Sequence, residues 1–111
     1  NKTRHTTIVA HVQVADTWWT RLKGLLGHSP LQPGEGLLLR GEKAIHTIGM
    51  GFAIDVLFLD RTGRLVHLIP DMGPIRLSPF VSGAVDVLEI AAGQAAHTGT
   101  TLGDQIEISY T

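Results

Sequence analysis

The sequence predicts an α+β domain that is predominantly β, with six to seven short strands in a mixed or antiparallel, barrel-like sheet and one N-terminal helix. Two observations support this fold class. Most apolar residues fall in short runs of strand composition, separated by turns that are rich in Gly, Pro and Asp. One segment near the start of the chain instead places large apolar side chains at helical spacing.

The helix and its flanking strands are predicted in the first part of the chain. Residues 1–5 are polar and are expected to be flexible. Residues 7–14 alternate between two faces, which indicates a half-buried strand. Residues 17–26 place tryptophan and leucine side chains along one side of a helix. Short strands are then predicted at residues 36–40 and 43–47.

The longest apolar run, residues 54–59, is predicted to be an interior strand of the sheet. It is apolar on both faces apart from Asp55, and such a strand must be covered on both sides. The next stretch, Asp60-Arg61-Thr62-Gly63, has the Asp and Gly that a short hairpin loop requires. Residues 64–69 return to strand composition, and Pro70 is expected to end that strand.

The last part of the chain is predicted to hold two more strands and a helical turn. Residues 71–83 lack a sustained period and form a long connection, which is typical of functional loops. Residues 84–90 form a strand with Glu89 on the face opposite its apolar neighbours. Residues 91–99 form a short helical turn, and residues 105–110 alternate as a closing strand.

Length and charge limit the classes of protein that the chain can represent. Its 111 residues and 12.0 kDa are enough for one core but not two, so residues 1–111 are predicted to be a single globular domain. The net charge is -1, from 9 basic and 10 acidic residues, and no basic cluster is visible. Binding to nucleic acid, which normally needs a positive patch, is therefore disfavoured.

Cysteine content and apolar run lengths exclude further classes. The chain has no cysteine, which rules out disulfides, thiol nucleophiles and cysteine-based metal sites. No apolar run approaches the roughly 20 residues that a membrane-spanning helix needs. The first residue, Asn1, is not an initiator methionine, so a removed signal segment is compatible with the sequence and the cellular compartment stays open.

Asp55 is the most unusual residue of the apolar run and marks the candidate site. An ionised carboxylate is rarely buried without hydrogen bonds or a cationic partner. Just upstream, His46 and Met50 lie in a loop whose glycines permit a tight backbone path. The leading hypothesis is a non-enzymatic binding or accessory module, in which Arg21 and His46 hold a small polar or anionic ligand and Asp55 orients one of them.

Two further residues belong to the candidate site. Trp18 and Trp19 are adjacent on the predicted helix and cannot both face the core, so one of them is expected to line a groove. We assign this role to Trp19. Glu89 is the second acidic residue that falls within an apolar strand. His46 and Met50 are too few ligands for a closed metal site, so no metal or other cofactor is predicted.

Enzymatic activity is left open, because the same residues fit other classes of protein. A metal-independent hydrolase or lyase would use His46 with Asp55 or Glu89, provided that the side chains converge in one cleft. A protein-interaction domain would use an exposed sheet edge or a tryptophan. In a purely structural alternative, Asp55 caps a loop or pairs with Arg21 inside the fold.

Short motifs are spread over nearly the whole chain. They are Trp19-x-Arg21-x3-Leu25-x-Gly27, Gly34-Glu35-Gly36-Leu37-Leu38, His46-Thr47-x-Gly49-Met50, Ile54-Asp55-Val56-Leu57-Phe58-Leu59-Asp60, Val87-Leu88-Glu89, Gly93 and Gly103-Asp104. Their order and spacing resemble the domain of unknown function 192 family. The resemblance implies a small β-rich domain with one helix, and it carries no settled biochemical activity. The family usually has proline where this chain has Ala53, and a second family pattern has an aromatic residue at the position of His46.

Overall fold

The computed structural model describes residues 1–15, 34–40, 53–72 and 81–108 of the chain. Within these ranges it contains five strands and one short helix. In chain order they are β1 (His11–Ala15), β2 (Glu35–Arg40), β3 (Ile54–Leu59), β4 (Leu65–Met72), β5 (Asp86–Ala91) and α1 (Gln94–His97). No helix among these residues is long and apolar enough to cross a membrane.

The five strands of the described residues form one open, mixed sheet in the order β1-β2-β5-β3-β4. β1 and β2 are parallel, and the other neighbouring strands are antiparallel. Because β1 and β4 lie at opposite edges and do not pair within the described ranges, the predicted barrel-like closure is wrong. Short strands joined by tight turns occur in barrels and in open sheets, so their sequence pattern does not separate the two.

The described residues also contain fewer strands than the six to seven that the sequence predicts. Up to residue 108, the predicted closing strand at 105–110 is only an isolated bridge between Arg64 and Gln105. The predicted helix at 17–26 and the predicted strand at 43–47 lie outside the described residues. Both elements therefore stay predictions.

β3 is the interior strand that its composition predicts. Its bounds, Ile54–Leu59, are those of the predicted strand, and it pairs with β4 on one side and β5 on the other. All of its residues are buried, because both faces of the sheet are covered at this strand. The continuous apolar run in the sequence thus reflects burial on two faces.

The two faces of the sheet carry separate apolar clusters. We call them the Val56 face and the Leu57 face, after two successive residues of β3 that point to opposite sides. The Val56 face contains Leu37, Leu39, Ile54, Val56, Phe58, Met72, Ala84 and Val87. The Leu57 face contains Ile8, Leu38, Leu57, Leu59, Leu65, Leu88, Ile90, Ala95 and Ile106. Burial of each large side chain stabilises the fold by roughly 1.5–3 kcal/mol.

The strand register defines two ends of the sheet. Ile54, the first residue of β3, lies opposite Met72 of β4 and Ala91 of β5. β3 therefore begins where β4 and β5 end, and we call this the Asp55 end of the sheet. The other end holds the turn between β3 and β4 and is called the hairpin end.

The hairpin predicted from Asp60-Arg61-Thr62-Gly63 is confirmed. The Gly63 N–H donates to the Asp60 carbonyl oxygen at 3.0 Å, and Gly63 has a φ of 85°. Oδ1 of Asp60 accepts hydrogen bonds from the Thr62 hydroxyl at 2.7 Å, the Thr62 N–H at 2.8 Å and the Arg64 N–H at 3.0 Å. These bonds, led by the one from the Thr62 hydroxyl, lower the pKa of the Asp60 carboxyl below its ordinary value.

β4 continues through Pro70 to Met72, so the prediction that Pro70 ends this strand is wrong. Two residues of β4, Pro70 and Asp71, lie opposite the single residue Asp55 of β3, which makes a β-bulge. β4 is also at an edge of the sheet. A strand tolerates proline at a bulge or an edge, because no ladder hydrogen bond is lost there.

The strand and the helical turn predicted after residue 83 are confirmed, with shifted bounds. The strand predicted at 84–90 is β5, which spans Asp86–Ala91. The helical turn predicted within 91–99 is α1, Gln94–His97. Gly93 precedes the helix in the left-handed conformation, with a φ of 88°.

Gly63→Ala is expected to destabilise the fold more than Gly83→Ala. Both glycines have left-handed backbones, with φ of 85° and 86°, but only at Gly63 would a Cβ collide with the carbonyl oxygen of Ile106. We expect a loss of about 1 kcal/mol for Gly83→Ala and of about 2 kcal/mol or more for Gly63→Ala. Urea unfolding measures both. Equal losses would contradict the close packing of the hairpin against residue 106.

Candidate functional site

Asp55 lies in the second position of β3 and is buried, with 1% of its surface exposed. It lies opposite Ile90 of β5, so its side chain points to the Leu57 face. An ionised carboxylate in this position needs hydrogen bonds to both of its oxygens. The described residues provide one backbone donor for each oxygen.

The first donor is the backbone N–H of Asp71, which lies in the bulge of β4. It donates to Oδ1 of Asp55 at 2.8 Å. Asp71 has a φ of 50°, an uncommon left-handed conformation for a residue other than glycine. Pro70 has no N–H of its own, so the Asp71 N–H is the donor that this bulge offers to β3. The carboxylate of Asp55 takes the place of a ladder acceptor.

The second donor is the backbone N–H of Ala95, in the first turn of α1. It donates to Oδ2 of Asp55 at 2.9 Å. The first N–H groups of a helix have no partner within the helix, and a side chain at the N-cap commonly binds one of them. Here the N-cap is Gly93, which makes no side-chain cap hydrogen bond. Asp55 therefore caps α1 from a neighbouring strand.

Glu89, the second acidic candidate, points away from Asp55. It lies opposite Val56 of β3 and Leu37 of β2, which places its side chain on the Val56 face. Glu89 is fully buried and has a polar interaction partner. The sheet itself separates the two carboxylates, so the structure does not bring Asp55 and Glu89 together in one cleft.

The other candidate residues lie outside the described residues. They are Trp19, Arg21, His46 and Met50. Their part in the site stays a prediction. In the described part of the chain, no group of three or more His, Asp or Glu side chains is placed to hold a metal ion.

A third buried acid, Asp104, is part of the Gly103-Asp104 motif but is not among the predicted site residues. It is 2% exposed, and its Oδ2 accepts hydrogen bonds from Asn1 Nδ2 at 2.9 Å, Thr101 N–H at 3.0 Å and Arg4 Nε at 3.1 Å. Burial raises the pKa of the Asp104 carboxyl, but these bonds and the Arg4 charge outweigh burial and lower the pKa to about 2.

Residues 1–4 contact the loop at residues 100–105, and the expected flexibility of residues 1–5 stays a prediction. Lys2 N–H also donates to the Gln105 carbonyl oxygen at 2.8 Å, and Gln105 N–H donates to the Thr3 hydroxyl at 2.7 Å. Only the Gly103-Asp104 turn was visible in the sequence. Its partners are at the other end of the chain, and no local pattern connects them.

The fold and the site define a small, mostly β domain in which the buried Asp55 binds backbone N–H groups and the buried Asp104 binds residues near the N-terminus. The family model of DUF192, described as "Uncharacterized ACR", matches residues 1–108, and the chain belongs to this family. The resemblance noted in the sequence is thereby confirmed. A curated relative, the UPF0127 protein of Thermococcus sibiricus, is 29% identical in an alignment that covers 96% of this chain and 71% of that protein.

Two crystal structures share the fold. A protein of unknown function from Novosphingobium aromaticivorans has a TM-score of 0.77 and 23% identity, over 87% of this chain and 74% of that one. A protein from Sinorhizobium meliloti, provisionally described as a transcription regulator, has a TM-score of 0.77 and 24% identity, over 86% and 79% of the two chains. At these identities the similarity establishes the fold alone.

Asp55→Asn is expected to lower the free energy of unfolding by about 2 kcal/mol, because the side-chain NH2 group of asparagine cannot accept a hydrogen bond and one of the two backbone N–H groups loses its acceptor. Asp60→Asn is the matched control. All three hydrogen bonds of Asp60 go to Oδ1, which asparagine retains. Its loss should stay below about 1 kcal/mol. Equal losses in urea unfolding would contradict the role of both Asp55 oxygens.

Asp104 is expected to make stability depend on pH in acid. Its pKa of about 2 in the folded state is below the ordinary value of 3.8, so its contribution is complete above about pH 4 and is lost as the pH falls towards 2. Asp104→Asn should remove about 1–2 kcal/mol at neutral pH and flatten this dependence. The thermal unfolding temperatures of the wild type and the variant, measured between pH 2 and about pH 4, test this dependence.

Glu107→Gln is the control for Asp104, because Glu107 pairs with Lys2 only at the exposed surface. Its effect on stability should be small at every pH. An unchanged acid dependence in Asp104→Asn would show that the carboxylate is not held by these contacts.

Proposed function

We propose that this chain is a small binding or accessory module without enzymatic activity of its own, and that a small polar or anionic ligand binds at the Asp55 end of the sheet. The observation that carries the proposal is the position of Asp55. This buried carboxylate lies where β3 begins and where β4 and β5 end. Three elements thus meet at one charged side chain.

The placement of the two strand acids favours binding over acid-base catalysis. Asp55 and Glu89 point to opposite faces of the sheet, so at most one of them can meet His46. Asp55 already binds two backbone N–H groups, which fix the orientation of its carboxyl group. A group that is held in this way suits a positioning role better than the transfer of protons.

Asp55 has remaining capacity to orient a basic side chain. An ionised carboxylate offers about four lone-pair sites, and two of them are used by Asp71 and Ala95. We propose that Arg21 or His46, both outside the described residues, uses the rest. A basic group that is held by Asp55 would then present its other donors to an anionic group of the ligand.

Other binding classes receive less support. The net charge of -1 and the lack of a basic cluster argue against a role in transcription like the one provisionally given to the Sinorhizobium meliloti protein. Within the described ranges, Leu102 is the one large apolar side chain that is exposed, at 61%. A single side chain is much smaller than the apolar patch of several hundred Å² that marks a typical protein-binding surface.

Chemical-shift mapping by NMR tests the ligand site. Sulfate, phosphate, acetate and citrate would be titrated into the labelled protein as probes of anion binding. We expect at least one probe to shift amide signals at the Asp55 end, at residues 53–55 and 71–72. Arg21→Ala should weaken these shifts, because one of the two proposed anion-binding donors is removed.

Arg61→Ala is the matched control, because Arg61 is exposed in the turn at the hairpin end. It removes the same charge and should leave the shifts unchanged. The proposal would be rejected if no probe changes the spectrum, or if Arg61→Ala and Arg21→Ala reduce the response equally.

A further inference from the structure

The two backbone amides that bind Asp55 belong to different structural elements. Asp71 is in the bulge of β4, and Ala95 is in the first turn of α1, which follows β5. β4 and β5 flank β3 on opposite sides. The carboxylate of Asp55 therefore accepts one hydrogen bond from the end of β4 and one from the helix that follows β5.

The described structure gives each amide a particular need for this acceptor. The bulge places Asp71 opposite Asp55 itself, outside the regular ladder of β3 and β4. The helix has glycine at its N-cap and no side-chain cap hydrogen bond of its own. Since both groups depend on one buried carboxylate, a change in its position affects both.

The burial of Asp55 makes the two hydrogen bonds interdependent. Asp55 is only 1% exposed. If the hydrogen bond to one amide breaks, the carboxylate oxygen that loses its donor must bind water instead, so water has to enter the site. Water raises the local dielectric constant and competes for the remaining oxygen, which weakens the second bond. Loss of one bond thus promotes loss of the other.

We propose that Asp55 acts as a latch, and that the end of β4 and the start of α1 open together in one local event that is smaller than global unfolding. The latch consists of the Asp55 carboxylate and the backbone N–H groups of Asp71 and Ala95. The hairpin end of the sheet stays closed during this event, because the Asp60 turn has its own separate hydrogen bonds. This coupling does not depend on the proposed ligand site.

Hydrogen exchange of single amides, measured by NMR, tests the latch. In Asp55→Asn one of the two amides loses its acceptor, and the coupling predicts that both exchange faster, by roughly 10- to 100-fold. Asp60→Asn is the control and should leave both amides within about twofold of the wild type, because its single acceptor oxygen is retained. Acceleration of only one amide in Asp55→Asn would overturn the proposal, since the two bonds would then be independent.

Exchange in the wild-type protein provides a second test that needs no variant to fold. At urea concentrations below the unfolding midpoint, the free energies of opening of the Asp71 and Ala95 amides should be equal. They should also decrease with urea at the same rate. That dependence should be weaker than the one of global unfolding, because less surface is exposed. Different opening equilibria for the two amides, or exchange only through global unfolding, would contradict the latch.

Discussion

The fold depends on the way in which one acidic side chain is accommodated inside an otherwise apolar strand. Asp55 lies in β3, which is buried on both faces, and a charge in this position is tolerated only if it is hydrogen-bonded. The bulge of β4 and the N-terminus of α1 supply the donors. Two local irregularities, a left-handed residue after proline and a helix with glycine at its N-cap, are thereby explained by a single requirement.

The proposed function depends on the placement of the buried acids and not on a catalytic motif. Asp55 and Glu89 are both buried in adjacent strands, yet the alternation of side chains sends them to opposite faces. The two carboxylates therefore do not share one cleft, and Asp55 is an anchor for the backbone groups beside it. Membership of the DUF192 family agrees with the fold and adds no activity. The proposed binding module follows from the end of the sheet at which Asp55 lies.

Local signals in the sequence predicted the local structure well. Burial on two faces marked Ile54–Leu59, and the Asp and Gly of the turn marked the hairpin. Long-range pairing was less predictable, since the open edge of the sheet and the bulge at Pro70 depend on which strands meet. The sequence shows that Asp55 is an acidic residue within an apolar run. It does not show which groups bind Asp55, because every residue except proline has a backbone N–H group. The contacts of Asp104 with Asn1 and Arg4 could not be predicted either, because these residues lie at the opposite end of the chain.

The most direct test of the account is the scalar coupling that is transmitted through a hydrogen bond between a backbone nitrogen and an acceptor carbon. In a protein labelled with ¹⁵N and ¹³C, the account predicts measurable couplings from the Asp71 and Ala95 nitrogens to the same side-chain carbon, Cγ of Asp55. Both couplings arise only if the carboxylate is shared between the two amides. Absence of both, or couplings from these nitrogens to other acceptors, would contradict the central role given to Asp55.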